Sequence, residues 1–241
     1  MSEMSAVSSL IPQMRLFRRT PKSPADVGVH AISIPAREYT GDFYFAHRHE
    51  TTLWLVTGDV SGKGINAAVI MAMIQEELEH RITSCASTEC DPSATMAPLH
   101  AFLRPLLPGN RFATVVIAQL HDDGRLRVAN AGHCPPLIAR RDGSVEEIGS
   151  TGPVAGLLPH SHWTSRTTRL ERGESLLLYT DGVTEAQEGD REFGMERLKG
   201  SFARAAAARG AREIATSIAT AVREFASGPS HDDMTLFVAK R

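Results

Sequence analysis

Four short acidic segments carry the chemistry available to this sequence: Gly41-Asp42-Phe43-Tyr44, Gly58-Asp59-Val60-Ser61-Gly62-Lys63-Gly64, Thr180-Asp181-Gly182 and His231-Asp232-Asp233-Met234-Thr235. Each stands at the end of a run that reads as a strand. An aspartate beside glycine is commonly a turn residue, because its carboxylate hydrogen-bonds the local backbone and it tolerates unusual dihedrals. Such turns at several strand ends ask for more. If the ends converge, the carboxylates repel one another unless a cation sits among them. Hard divalent ions with oxygen ligands meet that need, so magnesium or manganese is the expected cofactor. Two such ions close together can activate a bridging water and polarise a phosphoryl group, which makes a hydrolase without a protein nucleophile.

The elements that must position these turns follow from periodicity. Val27, Val29, Ala31 and Ser33 alternate as a strand, and Leu53-Trp54-Leu55-Val56 reads as a buried one. After Gly64 the period lengthens: Ala67, Ile70, Met71, Ile74, Leu78 and Ile82 recur on one helical face. A second helix is expected from Pro92 to Leu107, then a hairpin from Phe112 to Ala131 turning at Asp122-Asp123-Gly124. Another turn falls at Arg141-Asp142-Gly143-Ser144. Ser175 to Tyr179 is an apolar strand leading into Asp181. Helical spacing returns from Phe193 to about Ala208 and again through Ile214, Ile218, Val222 and Phe225, before a closing strand from Met234 to Ala239. Strands come in runs with helices grouped between them, which predicts a layered α+β fold rather than a doubly wound parallel sheet.

A chain of 241 residues accommodates one sizeable domain. The reading is a flexible N-terminal tail over residues 1–26 and one domain over 27–241, with no sensor domain beside it. The 42% apolar and 22% charged shares are those of a globular protein, and no run reaches the length of a membrane span. A net charge of -2, with basic residues scattered, argues against a nucleic-acid partner. The polar N-terminus lacks a secretory pattern, so the expected location is the cytoplasm, without a membrane partner. Cys85, Cys90 and Cys134 suggest neither a zinc site nor a disulfide framework and are expected as free thiols.

Taken in order, the four acidic segments, together with Ala67-Ala68, Asn130-Ala131-Gly132-His133 and Tyr179-Thr180-Asp181-Gly182-Val183-Thr184-Glu185-Ala186, resemble the protein phosphatase 2C superfamily, and within it the bacterial SpoIIE-like branch. The resemblance spans roughly residues 28 to 240. It implies an αββα sandwich of two antiparallel sheets flanked by helices, with metals between the sheet edges. It further implies that Asp42, Asp59, Asp181 and Asp232 are metal-binding carboxylates, with Asp59 bridging two ions and the Val60 carbonyl adding a ligand. Asp233 occupies a place often filled by asparagine and ranks below Asp232. Asp59 and Asp181 are the residues on which catalysis is expected to depend most. The implied activity is hydrolysis of phosphoserine or phosphothreonine on a regulatory partner, an anti-sigma-factor antagonist, by a metal-activated water. Substrate-binding residues and the general acid stay unassigned, since this chain has Asp59-Val60-Ser61 where eukaryotic members often have Asp-Gly-His.

Several rival readings can be weighed on the same residues. Gly58 to Gly64 has the wrong spacing for a Walker A loop and lacks the hydroxyl residue after Lys63. Tyr179 stands where a haloacid dehalogenase motif needs a second aspartate. His133 is read as a turn histidine that supports the fold. Because Gly62-Lys63-Gly64 links Asp59 to the following helix, a shift of that helix could alter metal occupancy. A non-catalytic phosphoprotein-binding module and a small-molecule phosphatase remain the alternatives to a protein phosphatase.

Overall fold

The layering of the molecule follows from its most apolar strand, β3 (Thr52–Val60). Trp54 and Val56 face a helical layer, while Leu53 and Leu55 face a second sheet. Both faces are covered, which is why the run from Leu53 to Val56 is unbroken rather than alternating. The structure, a computed structural model, describes residues 27–241 other than 37, 63, 86–89, 209, 227 and 229–231. The tail read over 1–26 lies outside the described residues, as do Lys63 and His231 of the acidic segments.

Two five-stranded sheets form the centre. The first is ordered β2 (Phe43–His49), β3, β4 (Ala113–His121), β5 (Arg125–Ala131) and β8 (Arg166–Arg169). The second is ordered β1 (Gly28–Ile34), β12 (Met234–Lys240), β9 (Ser175–Tyr179), β6 (Leu137–Ala139) and β7 (Val145–Glu147). The strand pairs are antiparallel throughout. A small hairpin, β10 (Gln187–Glu188) with β11 (Arg191–Glu192), projects after the Asp181 turn.

Helices α1 (Ile65–Ser84) and α2 (Ser93–Leu103) cover the first sheet, where Met71, Ile74, Leu78 and Ile82 join Phe43, Phe45, Trp54 and Val56. Helices α3 (Gly194–Ala205) and α4 (Ala211–Phe225) cover the second, where Ile214, Ile218 and Val222 join Leu177, Tyr179, Leu236 and Val238. Between the sheets, Leu53, Leu55, Val116 and Val128 meet Ile138, Leu176, Leu178 and Phe237. Each such side chain, fully buried, contributes about 1.5–3 kcal/mol through area removed from water. The result is an αββα sandwich, as the family resemblance implies, and no helix among the described residues is long and apolar enough to cross a membrane.

Local departures from expectation have physical reasons. The second helix stops at Leu103 because Pro105 lacks a backbone donor, and the Leu106 and Leu107 N–H groups turn back onto the Leu103 carbonyl at 2.9 and 3.0 Å. Strand β8, Arg-Thr-Thr-Arg, has no counterpart in the sequence-based expectation, since an exposed edge strand needs no apolar alternation. Cys85 and Cys90 are not free thiols. They lie 6.2 Å apart at Cα and are disulfide-bonded, while Cys134 is free.

Candidate functional site

Gly58, Asp59 and Val60 finish β3 and pair with Val115, Thr114 and Ala113 of β4, so a sheet register fixes where the Asp59 carboxylate stands. Directly after it, Ser61 locks the turn. Its N–H donates to the Phe112 carbonyl at 2.9 Å, and its Oγ accepts the Phe112 N–H at 2.8 Å. From the other sheet, β9 delivers Asp181 at the start of a 3-10 turn, and the segment leading into β12 delivers Asp232 and Asp233. Gly182 permits this meeting: a Cβ there would lie 2.1 Å from the Asp233 carbonyl oxygen.

Asp42 joins the two sheets. It is 2% exposed, and its Oδ2 accepts the hydroxyls of Thr180 and Thr235, each at 2.7 Å. The Thr180 Oγ1 in turn accepts the Thr235 N–H at 2.9 Å. One carboxylate oxygen at the start of β2 thus gathers the end of β9 and the start of β12. Burial raises the Asp42 carboxyl well above the ordinary range, with the Asp59 charge adding to it and the Thr235 and Thr180 hydroxyls opposing. Sequence reasoning missed both threonines. The signal available was their place in the same motifs, Thr180 next to Asp181 and Thr235 two residues after Asp233.

The remaining carboxylates divide by their partners. Asp233 accepts the Ala36 N–H at 2.8 Å and the Gly41 N–H at 3.2 Å, so it anchors the connection between β1 and β2. One oxygen of Asp232 accepts the Asp233 N–H at 2.9 Å. Asp59 is half-buried, and burial, followed by the charges of Asp181, Asp232 and Asp233, pushes its carboxyl up to about 7. Asp123 sits apart in the β4–β5 turn, where it accepts the Arg125 N–H. The sequence-predicted carboxylates therefore meet at one end of the sandwich, and Asp123 does not join them.

The set fits a hard cation. Its donors are carboxylate oxygens and the Val60 carbonyl, the ligand class magnesium and manganese prefer. Gly41 leaves a cradle beside them: a Cβ there would come 2.7 Å from Asp59 Oδ1 and 3.0 Å from the Val60 oxygen. Among the described residues no three acidic, histidine or cysteine side chains close around a single point as a finished ligand cage.

His133 and Cys134 flank the site without serving as its acid or nucleophile. His133 Nδ1 lies 2.8 Å from Thr114 Oγ1, and burial, outweighing a hydrogen bond with the Tyr179 backbone, lowers the imidazole to about 4, so it is neutral. Its backbone N–H donates to Asn130 Oδ1 at 2.8 Å, which makes it the turn-supporting histidine expected. Burial, with Asp181, Asp42 and Glu185 behind it, raises the Cys134 thiol to about 12.

These shifts predict a pH dependence. Asp59 ionises near 3.8 unfolded and about 7 folded. Between those values the folded state holds a proton the unfolded state has released, so the metal-free stability contributed by Asp59 falls as pH rises and levels off above about 7. His133 acts oppositely between about 4 and 6.5, because unfolding lets it take up a proton. Comparing wild type with Asp59→Asn isolates the first effect. In chelator-treated protein, the variant's thermal midpoint relative to wild type should climb as pH goes from about 4.5 to about 7.5. A constant offset would show that neither burial nor the neighbouring carboxylates raise the Asp59 carboxyl.

Comparison with known proteins agrees with this geometry. The family model of stage II sporulation protein E (SpoIIE) matches residues 49–241. Phosphoserine phosphatase RsbU of Bacillus subtilis (strain 168) is 26% identical over 238 residues, covering 98% of this chain and 69% of RsbU. The crystal structure of the RsbU and RsbW domains of Rv1364c from Mycobacterium tuberculosis superposes with a TM-score of 0.77 at 26% identity, over 89% of this chain and 60% of that one. The PP2C phosphatase domain of SpoIIE from Bacillus subtilis, with a fragment of its regulatory domain, gives 0.75 at 18% identity, over 89% and 63%. The chain thus spans only part of each of these relatives. With the fold, the order of the acidic turns and the family match in agreement, the chain belongs to the SpoIIE family of PP2C-type phosphoprotein phosphatases.

Proposed function

We propose that the chain is a metal-dependent serine/threonine phosphatase that removes phosphate from a cytoplasmic regulatory protein, an anti-sigma-factor antagonist. The observation that carries this reading is the approach of Asp59, Asp181 and Asp232 from two sheets beside the cradle left by Gly41. Asp59, Asp181, Asp232 and the Val60 carbonyl would hold two manganese or magnesium ions, with Asp42 and Asp233 completing the acidic set. Such ions, when bound, would activate a water for in-line attack on phosphorus. Asp42 and Asp233 set the strand ends through their threonine and backbone partners. Thr180 and Thr235 hold the Asp42 carboxylate between the sheets, and Ser61 fixes the turn after Asp59. Among the described groups flanking the site, His133 is neutral and buried and the Cys134 thiol stays protonated, so neither competes with water as nucleophile. The antagonist partner rests on kinship with RsbU.

The test is phosphate release from serine-phosphorylated antagonist proteins, a phosphotyrosine peptide and small phosphoesters, before and after chelation. The expected result is turnover of the phosphoserine protein that chelation removes and manganese restores. Full activity after chelation would overturn the metal mechanism. Binding of the phosphoprotein without hydrolysis would favour a recognition module, and turnover confined to free phosphoesters would favour a small-molecule phosphatase.

A further inference from the structure

The carboxylates that make this site suitable for cations also repel its substrate, because a phosphorylated protein brings an anion to an acidic cleft. A cation at the rim would offset that repulsion, and Arg111 stands beside the acidic turn. Its guanidinium carbon lies 3.9 Å from the place a Cβ on Gly62 would take, in the turn that follows Asp59 and Val60. Gly62 has φ of 113° and no side chain, so nothing of its own covers the turn beneath the guanidinium.

The position of Arg111 is dictated by the same backbone that positions Asp59. Pairing of β3 with β4 sets Asp59 opposite Thr114 and Val60 opposite Ala113. One residue further, Ser61 and Phe112 bond in both directions, at 2.9 and 2.8 Å. Arg111 is next in line, so the reciprocal pair fixes the backbone from which its side chain extends.

Its side chain is also uncommitted. Arg111 is exposed, and none of the ion pairs among the described residues includes it. Of the other exposed arginines, Arg166 pairs with Glu146, Arg169 with Glu171 and Arg191 with Glu188, whereas Arg104, Arg141, Arg212 and Arg223 enter none of these ion pairs, so it is the place beside Gly62 that sets Arg111 apart. A guanidinium presents a planar fork that matches two phosphate oxygens and keeps its charge at any working pH.

We propose that Arg111 binds the phosphate group of the substrate at the rim of the site. This rests on the phosphatase reading above and adds to it a substrate-binding residue that the acidic motifs do not contain. Arg111 engages phosphate before and after hydrolysis, so it also retains inorganic phosphate as a competitive inhibitor.

The experiment compares wild type, Arg111→Ala, Arg111→Lys and Arg191→Ala as manganese-loaded proteins. Steady-state kinetics on a serine-phosphorylated protein are measured alongside calorimetric binding of inorganic phosphate. Arg111→Ala should raise KM by about tenfold or more, with a smaller change in kcat, and weaken phosphate binding to a similar degree. Arg111→Lys should recover part of both, since it restores charge without the fork, and Arg191→Ala should resemble wild type. Unchanged KM and phosphate affinity in Arg111→Ala would overturn the assignment, as would a fall in kcat alone. Failure of the phosphatase reading would show in the wild type itself, which would release no phosphate from any protein. Failure of the Arg111 assignment would show as an active wild type with an indistinguishable variant.

Discussion

Asp59→Asn and Asp181→Asn should each lower phosphatase turnover by on the order of a thousandfold while leaving the fold intact. Each substitution keeps the shape of the side chain and removes the charge that would hold a divalent ion. Neither side chain belongs to the apolar cores on the two sheets, so little packing is lost. The Asp59 carboxyl is disfavoured as an anion in the metal-free fold. Neutral asparagine should therefore unfold no earlier than wild type near neutral pH, an inactive protein of undiminished stability. Asp123→Asn is the control, since that carboxylate serves only the β4–β5 turn and its neighbours. Turnover assays and thermal melts on the three variants decide the matter. If Asp123→Asn were as damaging as Asp59→Asn, the separation of turn aspartates from ligands would be wrong.

Gly182→Ala should be the most destabilising single methyl in the site, costing about 3 kcal/mol or more. The added carbon would stand 2.1 Å from the Asp233 carbonyl oxygen, 2.9 Å from its carbonyl carbon and 3.2 Å from the Asp232 oxygen. These are backbone atoms that no rotamer change can move aside. Relief would require β9 and β12 to separate at the end where Thr180 N–H donates to the Thr235 carbonyl at 3.1 Å. Activity should fall together with stability, because Asp181 and Asp232 ride on the segments pushed apart. Gly149→Ala gives the contrast, with no atom within 4 Å of the added carbon. Urea denaturation of the two variants measures the difference, and equal midpoints would show that the strand ends yield freely.

Much of this architecture was legible because the relevant signals are local. The spacing of Met71, Ile74, Leu78 and Ile82 marks a buried helical face wherever that helix ends up, and the unbroken run of Leu53 to Val56 marks a strand covered on both sides. The acidic turns were legible for the same reason, Asp42, Asp59 and Asp181 each lying beside a glycine and the Asp232-Asp233 pair standing just before a strand. What stayed hidden is contact between distant parts. Thr235 and Asp42 are separated by 193 residues, and Thr180 and Asp42 by 138, so no window of sequence shows that two hydroxyls share one carboxylate oxygen. The anchoring of the β1–β2 connection by Asp233, across 197 residues from Ala36, is hidden likewise. Strand β8 escaped notice because its exposed edge selects for no pattern. The pairing of Cys85 with Cys90 was hidden too, since a spacing of five residues does not by itself fix a bridge.

The place of β12 between β1 and β9 bears on when this protein can begin to work during its own synthesis. Strand β1 precedes its hydrogen-bonding partner by about two hundred residues, as the Ser33–Thr235 separation of 202 shows. Until β12 emerges, β1 and β9 have no strand to join them, and Asp42 has only one of its two threonines. The first sheet, built from β2 through β5 by successive neighbours, can assemble while translation continues, and α1 and α2 can cover it. The second sheet must wait for β12, a long-range closure of the kind that slows folding. The acidic site is assembled by that same closure, so Asp232 comes beside Asp59 and Asp181 only once β12 has joined the sheet.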